Sequence, residues 1–417
     1  MDVRFSPAEE EFRLRARSWL EAHKPKDPPP ETDLRARREF DLAWQREMYD
    51  AGWAGIAWPE RYGGRGATLA EQLVWYEEYA RARVPEPATL FVGLNHGGPT
   101  LIACGTEAQK EFHLPRILRG EVVWCQGFSE PGAGSDLASL QTRAVVDGDQ
   151  LVVSGQKIWT SFAQIADFQE LLVRTDAAAP KHAGISWVIC PMDAKGITVR
   201  PIRTMATHLE FCEVFYDEVR IPIANVVGEL NDGWRVAQST LGFERGTAFL
   251  AHQVHLARQV DELIELARMV PLGGSDGAPD RNGRTALDDA EIGRRLALAR
   301  AEVEMLRAMA YRSVSRTART GTPSADGSVI RLFYSELQQR VFALAMDILG
   351  PAVLEWDASE GEAGGPDAVR RSMRETWVFR YLLSFQSTIA AGTKDIQRNI
   401  IGERLLGLPR EPSRARD

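Results

Sequence analysis

The sequence predicts an α+β fold with segregated elements: a helical domain, then a sheet, then long helices. Three textures carry that reading. Apolar residues recur every three or four positions up to about Arg119, alternate with a period of two from about Trp124, and return to helical spacing beyond Asp232. At 417 residues the chain can form two or three domains, and the changes of texture place them at residues 1–122, 123–232 and 233–417. The order is not the βαβ alternation of a Rossmann sheet, which argues against a nicotinamide cofactor.

In the first segment the helical spacing starts at Pro7 and is interrupted by the proline-rich loop Lys24 to Thr32 and the glycine cluster Tyr62 to Gly66. In the second, Ile185, Trp187 and Ile189 alternate with Ser186 and Val188, and Ile197, Val199 and Pro201 with Thr198 and Arg200, which predicts strands. In the third, Ile292, Leu296, Ala299, Val303, Leu306 and Ala310 form one apolar stripe, and Ile330, Phe333, Leu337, Val341, Leu344 and Ile348 another. Two helices with such stripes pack in a bundle. The loops Pro271 to Arg284 and Glu355 to Asp367 carry no core-forming pattern.

Composition narrows the function. Apolar residues make up 44% and charged residues 26%, and the net charge of −8 gives no electrostatic attraction to nucleic acid. No apolar run approaches the roughly 20 residues of a membrane span, and the first twenty residues are charged throughout, so a cytoplasmic protein without a secretory signal is expected. The four cysteines, Cys104, Cys125, Cys190 and Cys212, are scattered without a CxxC pair, which suggests neither disulfides nor a zinc site. His252 and His255 lie three apart but lack a third ligand at metal spacing, so no metal is expected and a packing or surface role is the reading for both.

The most informative run is Trp124 to Ala163. Glu130-Pro131-Gly132-Ala133-Gly134-Ser135-Asp136 is a glycine-rich turn whose backbone N–H groups could approach an anion such as a pyrophosphate; a tight turn without a ligand is the plain alternative. Gly155-Gln156-Lys157-Ile158-Trp159-Thr160-Ser161 follows a strand-like segment and places an indole and two hydroxyls at a strand end. Trp159 could be core, or could pack against a flavin ring.

Together these residues resemble the signature of the acyl-CoA dehydrogenase family. Gly392-Thr393-Lys394-Asp395-Ile396-Gln397-Arg398 is similar to its second signature, and the run Trp53 to Gly66 is similar to the family's N-terminal domain. The resemblance implies an N-terminal helical domain, a middle β-barrel-like domain and a C-terminal four-helix bundle, with FAD between the last two. It implies that Phe128 and Ser129 bond the flavin edge, that Gly134 and Ser135 lie by the phosphates with Ser135 also near the substrate, and that Trp159 and Ser161 flank the ring. Thr393 and Asp395 would contact the FAD again. The implied reaction is α,β-dehydrogenation of an acyl-CoA, with an electron-transfer flavoprotein as acceptor and a homo- or heterotetramer as the assembly.

Such a reaction needs a base at the α carbon, and a carboxylate is expected. In many family members it directly precedes the Gly-Thr pair; here Ala391 stands there. A minority branch places a glutamate on the helix after the β domain, where this sequence has Leu241-Gly242-Phe243-Glu244-Arg245-Gly246, so Glu244 is the candidate base. Its helical neighbours Thr240, Leu241, Thr247 and Ala248 include no cation, which argues against a plain surface ion pair. Arg245 is read as a structural or site-orienting charge and a candidate for binding the substrate. Asp347 and Pro351 depart from the family's Gln and Gly-Gly contact to a neighbour's FAD, and the usual Arg-x-x-Phe-Gly run gives way to the loop Asp280 to Asp289. These losses resemble the actinobacterial branch that acts on steroid side-chain CoA thioesters, whose members form heterotetramers. A flavin monooxygenase on the same scaffold and a non-catalytic partner subunit are the alternatives.

Overall fold

The computed structural model describes residues 5–30, 32–244, 250–272, 283–321, 325–355 and 376–410. The chain folds as two compact units, residues 7–248 and residues 249–417 with 1–6.

The first unit opens with helices α1 (Pro7–His23), α2 (Leu34–Asp50), α3 (Leu69–Arg81), α4 (Gly98–Cys104) and α5 (Glu107–Leu118). Capping boxes start two of them: Thr68 with Glu71 for α3, and Thr106 with Gln109 for α5. Their core is aromatic: Trp53 stacks on Trp75 at 4.8 Å and Trp19 on Trp44 at 5.4 Å. The buried Arg13 guanidinium pairs with Glu77 and Glu78 at 3.1 and 2.8 Å, which satisfies charges that burial would otherwise penalise heavily. A π-helical turn, Gly93–Gly97, runs directly into α4 and rests on Trp124.

The same unit holds an eight-stranded sheet of β1 (Trp124–Gly127), β2 (Arg143–Asp147), β3 (Gln150–Ser161), β4 (Phe168–Arg174), β5 (Ile185–Pro191), β6 (Ile197–Pro201), β7 (Phe211–Pro222) and β8 (Val226–Val227). The strand order is β6-β7-β3-β2-β4-β5-β8, with β1 added parallel to β4. Strands β2 and β4 share only the pair Arg143–Arg174, so the sheet is two halves hinged at one corner. Their facing side chains make one core, with Leu151, Val153 and Val214 from one half and Leu171, Val173 and Val188 from the other. Along β5 the alternation in the sequence is not an alternation in burial: residues 185–190 are all buried. Helix α6 (Gly233–Glu244) packs against β5 and α4 and covers that second face. A Cβ at Gly233 would sit 2.3 Å from the Trp187 backbone nitrogen, and the hydroxyls of Thr100 and Thr240 meet at 2.8 Å.

The second unit is helical: α7 (Leu250–Met269), α8 (Ala290–Thr320), α9 (Asp326–Leu349), α10 (residues 376–384) and α11 (Lys394–Ile400). The stripe predicted on α8 supplies Leu296, Ala299, Val303 and Leu306 to the core, and that on α9 supplies Leu337, Val341, Leu344 and Ile348. Val270 and Leu272 bond Ala286 and Arg284 across the first expected loop, whose residues 273–282 lie outside the described residues. Most of the second expected loop, 356–367, lies outside them too. His252 rests edge-on against Tyr334 at 4.8 Å. Among the described residues no helix is long and apolar enough to cross a membrane, and no group of three potential ligands could hold a metal ion.

Candidate functional site

The two halves of the first sequence signature meet side by side in the sheet domain. The backbone N–H of Ile158 donates to the carbonyl of Ser129 at 3.0 Å, which sets Phe128-Ser129 against Ile158-Trp159. Phe128 is buried and Ser129 half-buried. Beyond them the chain turns at Glu130, whose N–H and C=O both bond Ala133 at 3.1 and 3.0 Å. Gly134, Ser135 and Asp136 form an exposed tip, and the space around Gly134 is open. Asp136 pairs with Lys181 at 2.6 Å on the surface.

Trp159 is not core. Its indole is 56% exposed. Strand β3 carries a bulge between Lys157 and Thr160, and Trp159 sits in it at φ +62°, a left-handed conformation that β-strand residues rarely adopt. The bulge breaks the pleat and turns the ring outward, edge-on to Phe211 at 6.1 Å. Ser161 lies two residues on, half-buried at the strand end. Among the described residues the hydroxyls of Ser129 and Ser161 make no hydrogen bond.

The second signature lies in the other unit. Thr393 is the N-cap of α11, its hydroxyl accepting from Ile396 N–H at 3.3 Å. Asp395 is exposed and faces Arg398 at 3.4 Å. Ala391 and Gly392 both take positive φ, +56° and +88°, and the buried Gln397 side chain donates to their carbonyls at 2.9 and 3.3 Å. Glu244 is the last residue of α6; its side chain, and Arg245 entirely, lie outside the described residues. Asp347 pairs with Arg295 at 2.7 Å.

Two charged residues stand out that the sequence reading passed over as actors. Lys157 is fully buried, and its ammonium donates to Glu130 at 2.8 Å and to the carbonyl of Phe128 at 3.0 Å. Burial pushes the lysine down to about 8 even with the carboxylate opposite. For Glu130 burial works upward, but Lys157 and the amides of Thr142 and Gln141 outweigh it and hold the carboxyl below its usual range. Strand parity was the available signal, because Lys157 shares the inward side with Leu151 and Val153 and a charge there demands a partner. A second buried polar group, His96, Gln126 and Glu170, ties the π-helical turn to β1 and β4, with Gln126 donating to Glu170 at 2.7 Å.

Helices, a two-part sheet and then helices again give the domain order that the sequence resemblance implies. Comparison with known proteins makes that resemblance specific. Models of the acyl-CoA dehydrogenase N-terminal, middle and C-terminal domains match residues 6–121, 125–219 and 231–406. The chain is 39% identical to acyl-CoA dehydrogenase IpdE1 of Mycobacterium tuberculosis over 96% of its own length and 98% of the relative's. It is 34% identical to acyl-CoA dehydrogenase FadE26 of the same organism, over 98% and 99%. The solved ChsE4-ChsE5 complex from Mycobacterium tuberculosis superposes with a TM-score of 0.79 at 34% identity, over 99% of this chain and 100% of that one. A structure described as the Tcur3481-Tcur3483 steroid ACAD also gives 0.79, at 31% identity and the same coverage. The chain belongs to the acyl-CoA dehydrogenase family.

Proposed function

We propose that this chain oxidises a steroid-derived acyl-CoA thioester to the α,β-unsaturated thioester, with FAD as cofactor and Glu244 as the base that takes the α proton. The observation that carries the reading is the strand edge formed by Phe128, Ser129, Trp159 and Ser161: an indole more than half exposed, held in a strained bulge, beside two hydroxyls without partners. A planar heteroaromatic ring with polar edge atoms fits such a place, since it would cover the indole and give the hydroxyls acceptors. When bound, the flavin supplies a hydride acceptor. The exposed turn at Gly134 and Ser135 offers backbone to the phosphates, and Ser135 to the thioester's phosphates as well. Thr393 and Asp395 would meet the cofactor from the second signature.

Ala391 has only a methyl group and cannot accept a proton, so the base must come from elsewhere. Glu244 ends α6, and the residues one turn back, Thr240 and Leu241, carry no charge to neutralise it. Arg245 follows as an orienting charge for the substrate. The steroid acyl group is inferred from the branch that includes the two-chain steroid ACAD. We read an electron-transfer flavoprotein as the acceptor and a tetramer as the assembly.

Anaerobic mixing of the flavin-loaded enzyme with an acyl-CoA should bleach the flavin, and faster with a steroid side-chain thioester than with a straight-chain one. Glu244→Gln should slow bleaching by about 10²–10⁴-fold. Bleaching at the wild-type rate in that variant removes Glu244 as base. A second reading, that this chain completes the site of a different partner chain, is favoured by the two-chain make-up of ChsE4-ChsE5 and Tcur3481-Tcur3483. Purification of the chain alone without bound FAD, with FAD retained on co-purification with a partner, would select it.

A further inference from the structure

We propose that the buried pair Lys157–Glu130 is a positioning device for the flavin: it fixes the backbone at Phe128 and Ser129 and closes the loop from 130 to 142, and so presets the edge that FAD would meet. The inference rests on the FAD reading above and concerns residues that would reach the flavin only through that edge.

Each end of the pair holds backbone from a different stretch of chain. The Glu130 carboxylate accepts three hydrogen bonds: from Lys157 and from Thr142 N–H on one oxygen, both at 2.8 Å, and from Gln141 N–H on the other at 2.6 Å. It therefore fastens the far end of the loop to its beginning. The Lys157 ammonium spends a second donor on the Phe128 carbonyl at 3.0 Å. Ile158, the next residue, bonds Ser129, and Trp159 follows in its bulge. One cation thus sets the spacing between the two runs that present Ser129 and Trp159. The enclosure leaves no slack: Gly155 lies at φ +153°, and a Cβ there would come within 2.7 Å of the Thr142 Cα, so Thr142 sits directly on the strand that carries Lys157. Arg174 braces the middle of the loop through the Ala138 carbonyl at 2.7 Å.

An ion pair serves here better than a neutral hydrogen bond for a physical reason. Charge-assisted bonds are shorter and stronger, and one carboxylate can gather donors from several directions at once. A merely stabilising core would not need them, since apolar replacements of a buried pair are commonly neutral for the fold. The pair instead fixes where the carbonyls and amides of this edge point.

The test uses three variants of the holoprotein, Lys157→Met, Glu130→Gln and the double Lys157→Met/Glu130→Gln, the last leaving no unpaired charge. The readouts are thermal melting of the FAD-stripped chain, the FAD dissociation constant from flavin fluorescence, and the flavin absorption band. Wild-type binding of FAD is measured first, on the chain alone and on the chain co-purified with its partner, and failure in both overturns the FAD reading and with it this inference. Given wild-type binding, we expect the double variant to melt near the wild type while its FAD dissociation constant rises at least tenfold and the absorption band shifts. A double variant that binds FAD with wild-type affinity and spectrum overturns the positioning role. So does one that does not fold, because the pair then serves the fold alone.

Discussion

Two turns, the glycine-rich one at Glu130 to Asp136 in the first unit and the one at Ala391-Gly392 that opens the second signature, are each held by a buried polar side chain, but in opposite ways. Glu130 is charged, opposed by a buried cation, and gathers backbone groups and a side chain separated by up to 27 residues. Gln397 is neutral and reaches only five and six residues back, to the carbonyls of Gly392 and Ala391. The first arrangement joins strands and loops distant in the chain, and it fails badly if half of it is removed, because a charge is left without compensation in a dry interior. The second stiffens a single turn. Long-range geometry is held by charge and local geometry by a neutral amide.

That contrast can be broken by experiment. The largest effect is expected from Glu130→Ala, which strands the Lys157 ammonium: about 3–5 kcal/mol lost in urea unfolding. A loss no larger than that of Gln397→Ala would abolish the distinction. Next comes a buried neutral group in the same unit, His113, which lies edge-on to Trp124 and Phe168 at 5.2 and 4.9 Å. Burial, with a smaller push from Arg116, lowers this imidazole to about 4 from its ordinary 6.5. In that window the unfolded chain binds the proton and the folded chain does not, so the stability is fully present above pH 6.5 and is lost as the pH falls towards 4. The loss should approach roughly 3 kcal/mol. His113→Phe should flatten that part of the stability curve, and an unchanged slope would place the acid sensitivity in other groups.

Gln397→Ala should lower stability by about 1–2 kcal/mol, the effect of leaving two turn carbonyls without their donor, read as a shift in the urea midpoint. Ala391→Gly tests the same turn from the other side. Alanine at φ +56° is strained, and glycine relieves that at some loss of chain entropy, so a gain of about 0.5 kcal/mol is expected. A loss instead would show that the methyl group packs usefully there.

Much of the fold was legible in the sequence because burial follows periodicity in helices that pack on one side. The stripe Leu296, Ala299, Val303 and Leu306 faces the core as its spacing predicts. Strand β5 was recognisable as a strand but not as one covered on both faces, because α6 arrives from 42 residues beyond the end of that strand and tertiary packing overrides the pattern. At the candidate site the motifs located Phe128, Ser129, Trp159 and Ser161, yet the sequence left Trp159 open between core and flavin. A bulge, which no propensity marks, decides that it faces outward. The pairing of Lys157 with Glu130 was hidden for the same kind of reason: neither residue reveals its partner until the strand and the turn are brought together.

The start of α6 has a consequence for the proton transfer proposed at its other end. With no room for a side chain at Gly233, the backbone of β5 serves as a mechanical datum for the helix. A helix of 12 residues is a rigid rod about 17 Å long, so tilting its origin swings residue 244 by a comparable or larger amount. Since a misplacement of an ångström can slow proton transfer a hundredfold, a methyl group added at a position remote from any substrate could silence the enzyme while leaving it folded.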